Sequence, residues 1–475
     1  MMTSESTPYP ATFLLLGSAM PLATTVVAYR QGRAIHADAY LRDVYTVAQN
    51  LPLAAYYLNV CADRYYIAVL LAAVMLRKKI NLLPPNTATQ TLQRLLERYQ
   101  HVVLIRDNTN IGAGNQVKHF DDAISFEKLL ETPFRGPTPN PEFTSDQLIG
   151  ILFTSGSTGE PSANARTWGA LCAGVKAEAQ ALLLAELCDR HANGGIAVLG
   201  TVPAQHSYGL ESTLALPLQN GYALAADQSF YPADIIAALA LLPRPRVLVT
   251  TPFHLRLLIN DGGVSLPKLD LIVSATAPLS PQLAAQAEAA FSAPVREIYG
   301  CTEAGQIASR RTIDGDTWTL FPDVCLEKRG EATWVHGGHV GEARILGDVI
   351  EIKPDHQFLL HGRVGDLINV AGKRTSLAHL NFHLNSIPGV EDGVFMMPNT
   401  ANDDWVVRLT AYVVTRTLSP EQILAALRTR IDPVFLPRPV HLVNELPRNQ
   451  TGKLTHCAIN ALKESASANS ADCAP

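Results

Sequence analysis

Between residues 38 and 106 the chain switches repeatedly between two incompatible hydrophobic periods. Helical spacing occupies Asp38–Asn50, Asp63–Arg77 and Thr87–Tyr99, while apolar strand-like runs occupy Tyr56–Val60, Ile80–Leu83 and Val102–Ile105. Strands separated by helices of this length pair as βαβ crossovers, which predicts a largely parallel sheet covered by helices. The alternation resumes with a long helix near Trp168–His191, strands at Ile196–Val202 and Val247–Thr250, and a helix opened by Ser280-Pro281. In that last pair serine is the cap and proline takes the first helical position, where its missing N–H costs nothing.

From about Thr333 to His361 the runs become short and alternating, as in Glu342-Ala-Arg-Ile-Leu and Val349-Ile-Glu-Ile, which predicts a small β-rich subdomain. Beyond it the pattern predicts a helix after Thr375-Ser376, strands at Val394–Met397 and Trp405–Val414, a helix started by Ser419-Pro420, and a strand at His441–Asn444. The expected class is therefore α/β. A large N-terminal domain, residues 1–364, holds βαβ-built sheets and the β-rich subdomain; a small α+β C-terminal domain follows over 365–463. The Ser/Ala-rich tail 464–475 is expected to be disordered.

Composition narrows the partners. With 475 residues, 47% apolar and 17% charged, the chain has ample material for ordinary globular cores. A net charge of −5 without a long Lys/Arg run argues against nucleic acid as a partner. The seven cysteines form no C-x-x-C pair and no cluster, which disfavours a disulfide framework or zinc ribbon and points to a reducing cytoplasm. Ala11–Tyr29 carries no charge, yet Gly17, Ser18, Pro21, Thr24 and Thr25 interrupt it. It reads as a buried strand and turn, with no integral membrane segment and, given Glu5 and no early positive charge, no signal peptide.

Four motifs carry chemistry. The apolar strand Leu148–Phe153 runs into Thr154-Ser-Gly-Ser-Thr-Gly-Glu-Pro161, so small residues emerge at a strand's C-terminal end, where α/β sheets hold ligands. No lysine follows Gly159, which excludes a Walker A loop; phosphate would be held by Thr154, Ser155, Ser157, Thr158 and main-chain donors at Gly156 and Gly159. Ile298-Tyr-Gly-Cys-Thr-Glu303 gathers a ring, a glycine, a hydroxyl and a carboxylate, a set able to stack a purine, touch a phosphate and bind Mg²⁺. Gly347-Asp348 and Gly362-Arg363 offer an acceptor for ribose hydroxyls and a cation for phosphate. Last, Leu446-Pro-Arg-Asn-Gln-Thr-Gly-Lys453 presents one lysine in a flexible loop. Taken singly, these also read as a surface turn, a strand end with a solvated Glu, two turn residues and an ordinary exposed lysine.

In this order and spacing, Thr154–Pro161, Tyr299–Glu303, Gly347-Asp348, Gly362-Arg363 and Pro447–Lys453 resemble the adenylate-forming superfamily of acyl- and aryl-CoA synthetases, nonribosomal adenylation domains and luciferases. The resemblance implies ATP and Mg²⁺, a mobile C-terminal domain, and two half-reactions: attack of a carboxylate on the α-phosphate, then transfer of the acyl group to a thiol. By that resemblance Lys453 is the adenylation lysine, Glu303 the Mg²⁺ ligand, Thr302 a phosphate contact and Tyr299 the adenine neighbour. Asp348 becomes the ribose clamp, with Arg363 and Thr276 completing the ATP site and Gly365 the hinge. Ser162 and Asn369 stand where relatives often carry lysine, and Arg166 is the candidate to supply the first of those charges.

The acid itself is expected near His206, Tyr208, Ser274 and Gly300. No carboxylate precedes Glu211 in Val202–Leu210, so an amino acid's ammonium has no partner there, and a neutral, aromatic or hydroxylated acid fits better; His206 also reads as a packed histidine with a satisfied hydrogen bond. Asn81–Pro85, His206–Glu211 and Val370–Leu377 are similar to the stand-alone AMP-ligases of bacterial aryl polyene and xanthomonadin pigment clusters. That likeness implies a hydroxybenzoate-type acid loaded onto an acyl carrier protein. Free CoA as acceptor, and a non-catalytic nucleotide-binding scaffold of the same fold, are the alternatives.

Overall fold

The computed structural model of the protein describes residues 9–17, 21–108, 120, 122–155, 161–191, 195–227, 229–260, 266–363, 367–370, 373–397 and 409–448. Lys453, Gly365, Gly156, Ser157, Thr158, Gly159 and the tail lie outside them, as do the side chains of Thr154, Ser155 and Asn369.

The alternation over 38–106 forms as expected. Strands Tyr56–Asn59, Ile80–Leu83 and Val102–Arg106 pair in parallel, joined by helices Arg64–Leu76 and Thr89–Arg98. Leu148–Ser155 adds in parallel to Ile80–Leu83, and Pro161–Thr167 pairs with it antiparallel. A second sheet has a parallel centre in which Val295–Cys301, Leu271–Ser274, Arg246–Thr250, Ala197–Gly200, Ala223–Ala225 and Val26–Arg30 lie side by side. Antiparallel strands flank it at both ends.

Layering follows from which faces are apolar. Helix Arg64–Leu76 is buried along almost its whole length and sits in the large core that both sheets share. Its start is fixed by Asp63, whose carboxylate accepts from Tyr65 N and Tyr66 N. Arg64, fully buried, donates to Val202 O and Asp227 O, satisfying carbonyls just past two strands of the second sheet. Helices Pro232–Leu241, Pro252–Asn260 and Pro281–Phe291 cover that sheet's other face in a separate core. Ser280 caps the third of them by accepting from Leu283 N.

Two expectations change in detail. The long helix near 168–191 is two, Trp168–Ala181 and Leu184–Asp189, broken where Leu183 turns left-handed at φ +55°. The β-rich run divides: Val324–Arg329, Ala332–Gly337 and Gly341–Leu346 form the small three-stranded sheet, whereas Asp348–Lys353 and Gln357–Arg363 join the end of the large sheet through Thr317–Leu320. Trp318 and Phe358, opposite each other in that pairing, stack at 6.3 Å, and burying both rings anchors the added strands.

The C-terminal unit has a core of its own running from Ile368 to Phe435. Its helices begin at the expected caps: Ser376 accepts from His379 N, and Ser419 with Gln422 forms a reciprocal capping box before Pro420–Arg428. Among the described residues no helix is long and apolar enough to cross a membrane.

Behind the second sheet lies a carboxyl group with no cation beside it. Glu178, on helix Trp168–Ala181, is fully buried and burial pushes it up to about 8. With the Gln306 amide nitrogen facing Glu178 (3.1 and 3.2 Å) and its oxygen facing Ser212 Oγ (2.7 Å), a protonated Glu178 closes a ring of donors and acceptors with Ser212. The folded chain holds this proton more tightly than the unfolded chain, whose carboxyl titrates near 4.5, so the contribution is complete below that pH and drains away as pH rises through about 8. Glu178→Gln, which cannot ionise, should remove an alkaline stability loss on the order of a few kcal/mol. Chemical denaturation of both proteins between pH 6 and about 9 measures it; identical slopes would refute a buried neutral acid.

Candidate active site

The hairpin made by Val295–Cys301 and Gly305–Arg310 carries the Tyr-Gly-Cys-Thr-Glu motif. The register shifts by one residue between Tyr299 and Gly300, and a Cβ on Gly300 would run into Gly305 O, so only glycine lets the two strands close here. Thr302 and Glu303 occupy the connecting turn, with Glu303 exposed and Thr302 partly so. Beside them the Cys301 thiol is pushed up to about 12 by burial and by the Glu303 carboxylate.

Tyr299 points back from this strand and donates its hydroxyl to Asp348 Oδ2 at 2.7 Å. Burial and the Asp348 charge push the phenol well above its usual range, so it stays a donor. Its ring packs against Trp318 and Phe358 at 5.7 and 5.6 Å and is only 9% exposed. The adenine-neighbour role expected of it is left with little exposed ring surface. Asp348 opens its strand opposite Arg363, whose Nε lies 4.0 Å from Asp348 Oδ1 while most of the side chain stays in solvent. Residues 299, 348 and 363 therefore meet, as the resemblance of their motifs implies. Asp348 also lines an open cleft of about 870 Å³ bounded by Thr333, Leu346, His361 and, from the C-terminal unit, Ser376 and His379.

The neighbouring strand Leu271–Ser274 ends in the expected acid-site turn. Thr276 there adopts φ +78°, a strained conformation for a β-branched residue and of the kind that collects at ligand sites. Leu279 N, just beyond the turn, donates to Glu297 on the hairpin strand at 3.1 Å, which ties turn and hairpin together. Ser274 is fully buried and its hydroxyl has no partner among the described residues. His206 is the residue before the short helix Ser207–Gly209, which continues as a π-helical turn over Leu210–Ala215. Tyr208 uses its hydroxyl within the fold, donating to Val273 O at 3.0 Å and pinning this helix to the Leu271–Ser274 strand.

Arg166 does not take the place of a phosphate-loop lysine. It is buried, 2.7 Å from Glu211 Oε1, and so is spent on a carboxylate inside the fold. Glu211 and Ser207 enter the motif reading only as members of the run 206–211, and Gln306 not at all, because nothing in their spacing separates a buried ion pair from two solvated charges. Lys453 lies outside the described residues, but the root of its loop is visible: Arg448 grips Asp392 with Nε and Nη2 at 2.7 and 2.8 Å, and Asp392 also accepts from Arg256 of the large domain at 3.1 Å. Among the described residues no three His, Cys, Asp or Glu groups converge as a metal site, and no cysteines are joined in a disulfide. A Mg²⁺ held by one carboxylate and substrate phosphates needs no such cluster, and the exposed Glu303 fits that use.

Comparison with known proteins bears on the family and the fold. Two sequence relatives are a 4-coumarate–CoA ligase of Rhodobacter capsulatus, 29% identical with 65% of this chain and 75% of that protein covered, and a 3-hydroxybenzoate–CoA/4-hydroxybenzoate–CoA ligase of Thauera aromatica, 23% identical with 76% and 73% covered. The crystal structure of ATP-bound MatB from Rhodopseudomonas palustris superposes with a TM-score of 0.74 at 19% identity, covering 94% of this chain and 96% of that one. The profile of the AMP-binding enzyme family matches residues 55–341, more than half of the sequence and including the hairpin, and the chain belongs to that family.

Proposed function

We propose that this AMP-forming acid–thiol ligase uses ATP to convert an aromatic carboxylic acid, hydroxybenzoate-like or related, into its acyl-adenylate and then passes the acyl group to a pantetheine thiol. The observation that carries the reading is the meeting of Tyr299, Asp348 and Arg363 beside the Thr302–Glu303 turn. Asp348, held by the Tyr299 hydroxyl, keeps acceptor capacity for ribose hydroxyls, and the largely exposed Arg363 is available to an anion. Glu303 is the carboxylate that would hold Mg²⁺, which when bound neutralises phosphate charge. Thr302 and the loop 154–159 would contact the phosphates, and Lys453, brought by the C-terminal domain about Gly365, would meet the charge that develops on the bridging oxygen.

The acid is placed against His206 and the Ser274–Thr276 turn, with Gly300 allowing close approach. The two relatives named above are both ligases of aromatic acids, which supports that class, and both are CoA ligases, which favours CoA as the acceptor. A carrier protein rests on the resemblance of 81–85, 206–211 and 370–377 alone.

Acid-dependent pyrophosphate exchange across benzoates, cinnamates, fatty acids and amino acids is expected to be strongest with hydroxylated aromatic acids. Offering CoA and a holo-carrier protein side by side then identifies the thiol, and absence of exchange with every acid would end the adenylation reading. Asp348→Asn should raise the KM for ATP on the order of tenfold by weakening the ribose contacts, with the KM for the acid little changed in steady-state kinetics. Lys453→Ala should slow adenylate formation roughly 10²- to 10³-fold, yet spare thioester formation from a supplied adenylate. Equal loss in both half-reactions would remove the role assigned to that lysine.

A further inference from the structure

Glu211 is enclosed at 7% side-chain exposure, and three donors from three separate parts of the site converge on its carboxylate. Arg166 Nη2 reaches Oε1 at 2.7 Å from the strand that follows the phosphate loop. Ser207 Oγ reaches the same oxygen at 2.5 Å from the acid-binding segment, one residue after His206. The main-chain N–H of Gln306 reaches Oε2 at 3.1 Å from the hairpin, three residues after Glu303.

The hairpin is shaped around this group. Gly305, at φ +79°, has room for no side chain, since a Cβ there would sit 2.5 Å from Arg166 Nη2 and 3.3 Å from Glu211 Oε2. The next residue is held on every polar atom of its peptide: Glu211 takes the N–H of Gln306, and His339 Nε2, which must carry a proton to do so, donates to its carbonyl at 2.7 Å. The Gln306 side chain is in turn locked against Ser212.

A buried ion pair adds little net stability over apolar side chains of similar volume, because removing two charges from water offsets their attraction. No apolar pair, however, accepts a hydrogen bond from the hairpin backbone and another from the acid segment. We propose that Arg166 and Glu211 are a positioning pair that fixes the Thr302–Glu303 turn and the His206–Tyr208 segment in one relation to each other during adenylation. The role rests on the adenylation reading of the same site. Arg166 aims the Glu211 carboxylate; Glu211 transmits that aim to groups that would meet phosphate and acid, without touching either substrate.

The test compares wild-type protein with Arg166→Met, Glu211→Gln and the double variant. Acid-dependent pyrophosphate exchange reports the first half-reaction, thioester formation from a supplied acyl-adenylate the second, and thermal unfolding and AMP binding report the fold and the nucleotide side. Each single variant strands a buried charge and is expected to lower the unfolding midpoint, which the neutral double variant recovers. Exchange in the double variant is expected to remain about 10- to 100-fold slow with a raised KM for the acid, because loss of alignment is not repaired by neutrality. AMP affinity and thioester formation stay near wild type. Arg166→Lys, which keeps the charge but not the guanidinium fork, gives the same pattern in milder form and serves if the neutral pair does not fold. Recovery of exchange together with stability in the double variant, equal loss in both half-reactions, or wild-type exchange in Arg166→Lys would overturn the role. A wild-type protein that exchanges pyrophosphate with no acid would remove the adenylation reading itself, and this role with it.

Discussion

Edge pairing on the large sheet is what turns residues 49 and 64 positions away from Tyr299 into its neighbours. Thr317–Leu320 accepts Gln357–Arg363, which in turn accepts Asp348–Lys353, and the Trp318–Phe358 stack holds the register. A one-residue slip would send Asp348 and Arg363 to opposite faces from those they now occupy. The site is therefore only as well defined as two aromatic rings and a ladder of main-chain hydrogen bonds make it. The Gly300 bulge adds the last constraint by letting the carboxylate-bearing turn fold tightly over its own strand.

Much of this was legible beforehand, for reasons that differ from element to element. Strands such as Ile80–Leu83 and helices such as Pro420–Arg428 announce themselves because burial imposes a period and caps impose residue types. The break at Leu183 was not readable, since no glycine or proline marks it and a leucine seldom turns left-handed. Nor was the splitting of the β-rich run, because alternation states that a strand has two faces and says nothing about which sheet it joins. At the site, Tyr299, Asp348 and Arg363 were named through the family resemblance of their motifs, since taken singly they read as a strand end and two turn residues. The Arg166 expectation failed because its nearest partner in space, Glu211, is 45 residues away in sequence and appears there as an ordinary helix-turn acid.

Polar groups in the interior share a common placement. Glu178, Glu211, Ser212, Gln306 and His339 lie together beneath the hairpin, at the junction of helix Trp168–Ala181 and the Leu210–Ala215 turn. An oily filling would be simpler to fold, but hydrogen bonds have direction and dispersion contacts do not, so a network of this kind favours one orientation of the turn above it over many of similar energy. The same logic explains a π-helical turn within a long buried helix, where a widened coil lets Glu211, Ser212 and Thr213 all face inward.

Asp392 has a consequence for motion. Its carboxylate is shared between Arg448, at the base of the lysine-bearing loop, and Arg256 on the large domain. Any swing of the smaller unit that carries Asp392 away must release Arg256 and leave a partly buried guanidinium to find water or another acceptor. The arrangement thus has a built-in catch made of charge, sheltered enough from solvent that dissolved salt does little to loosen it.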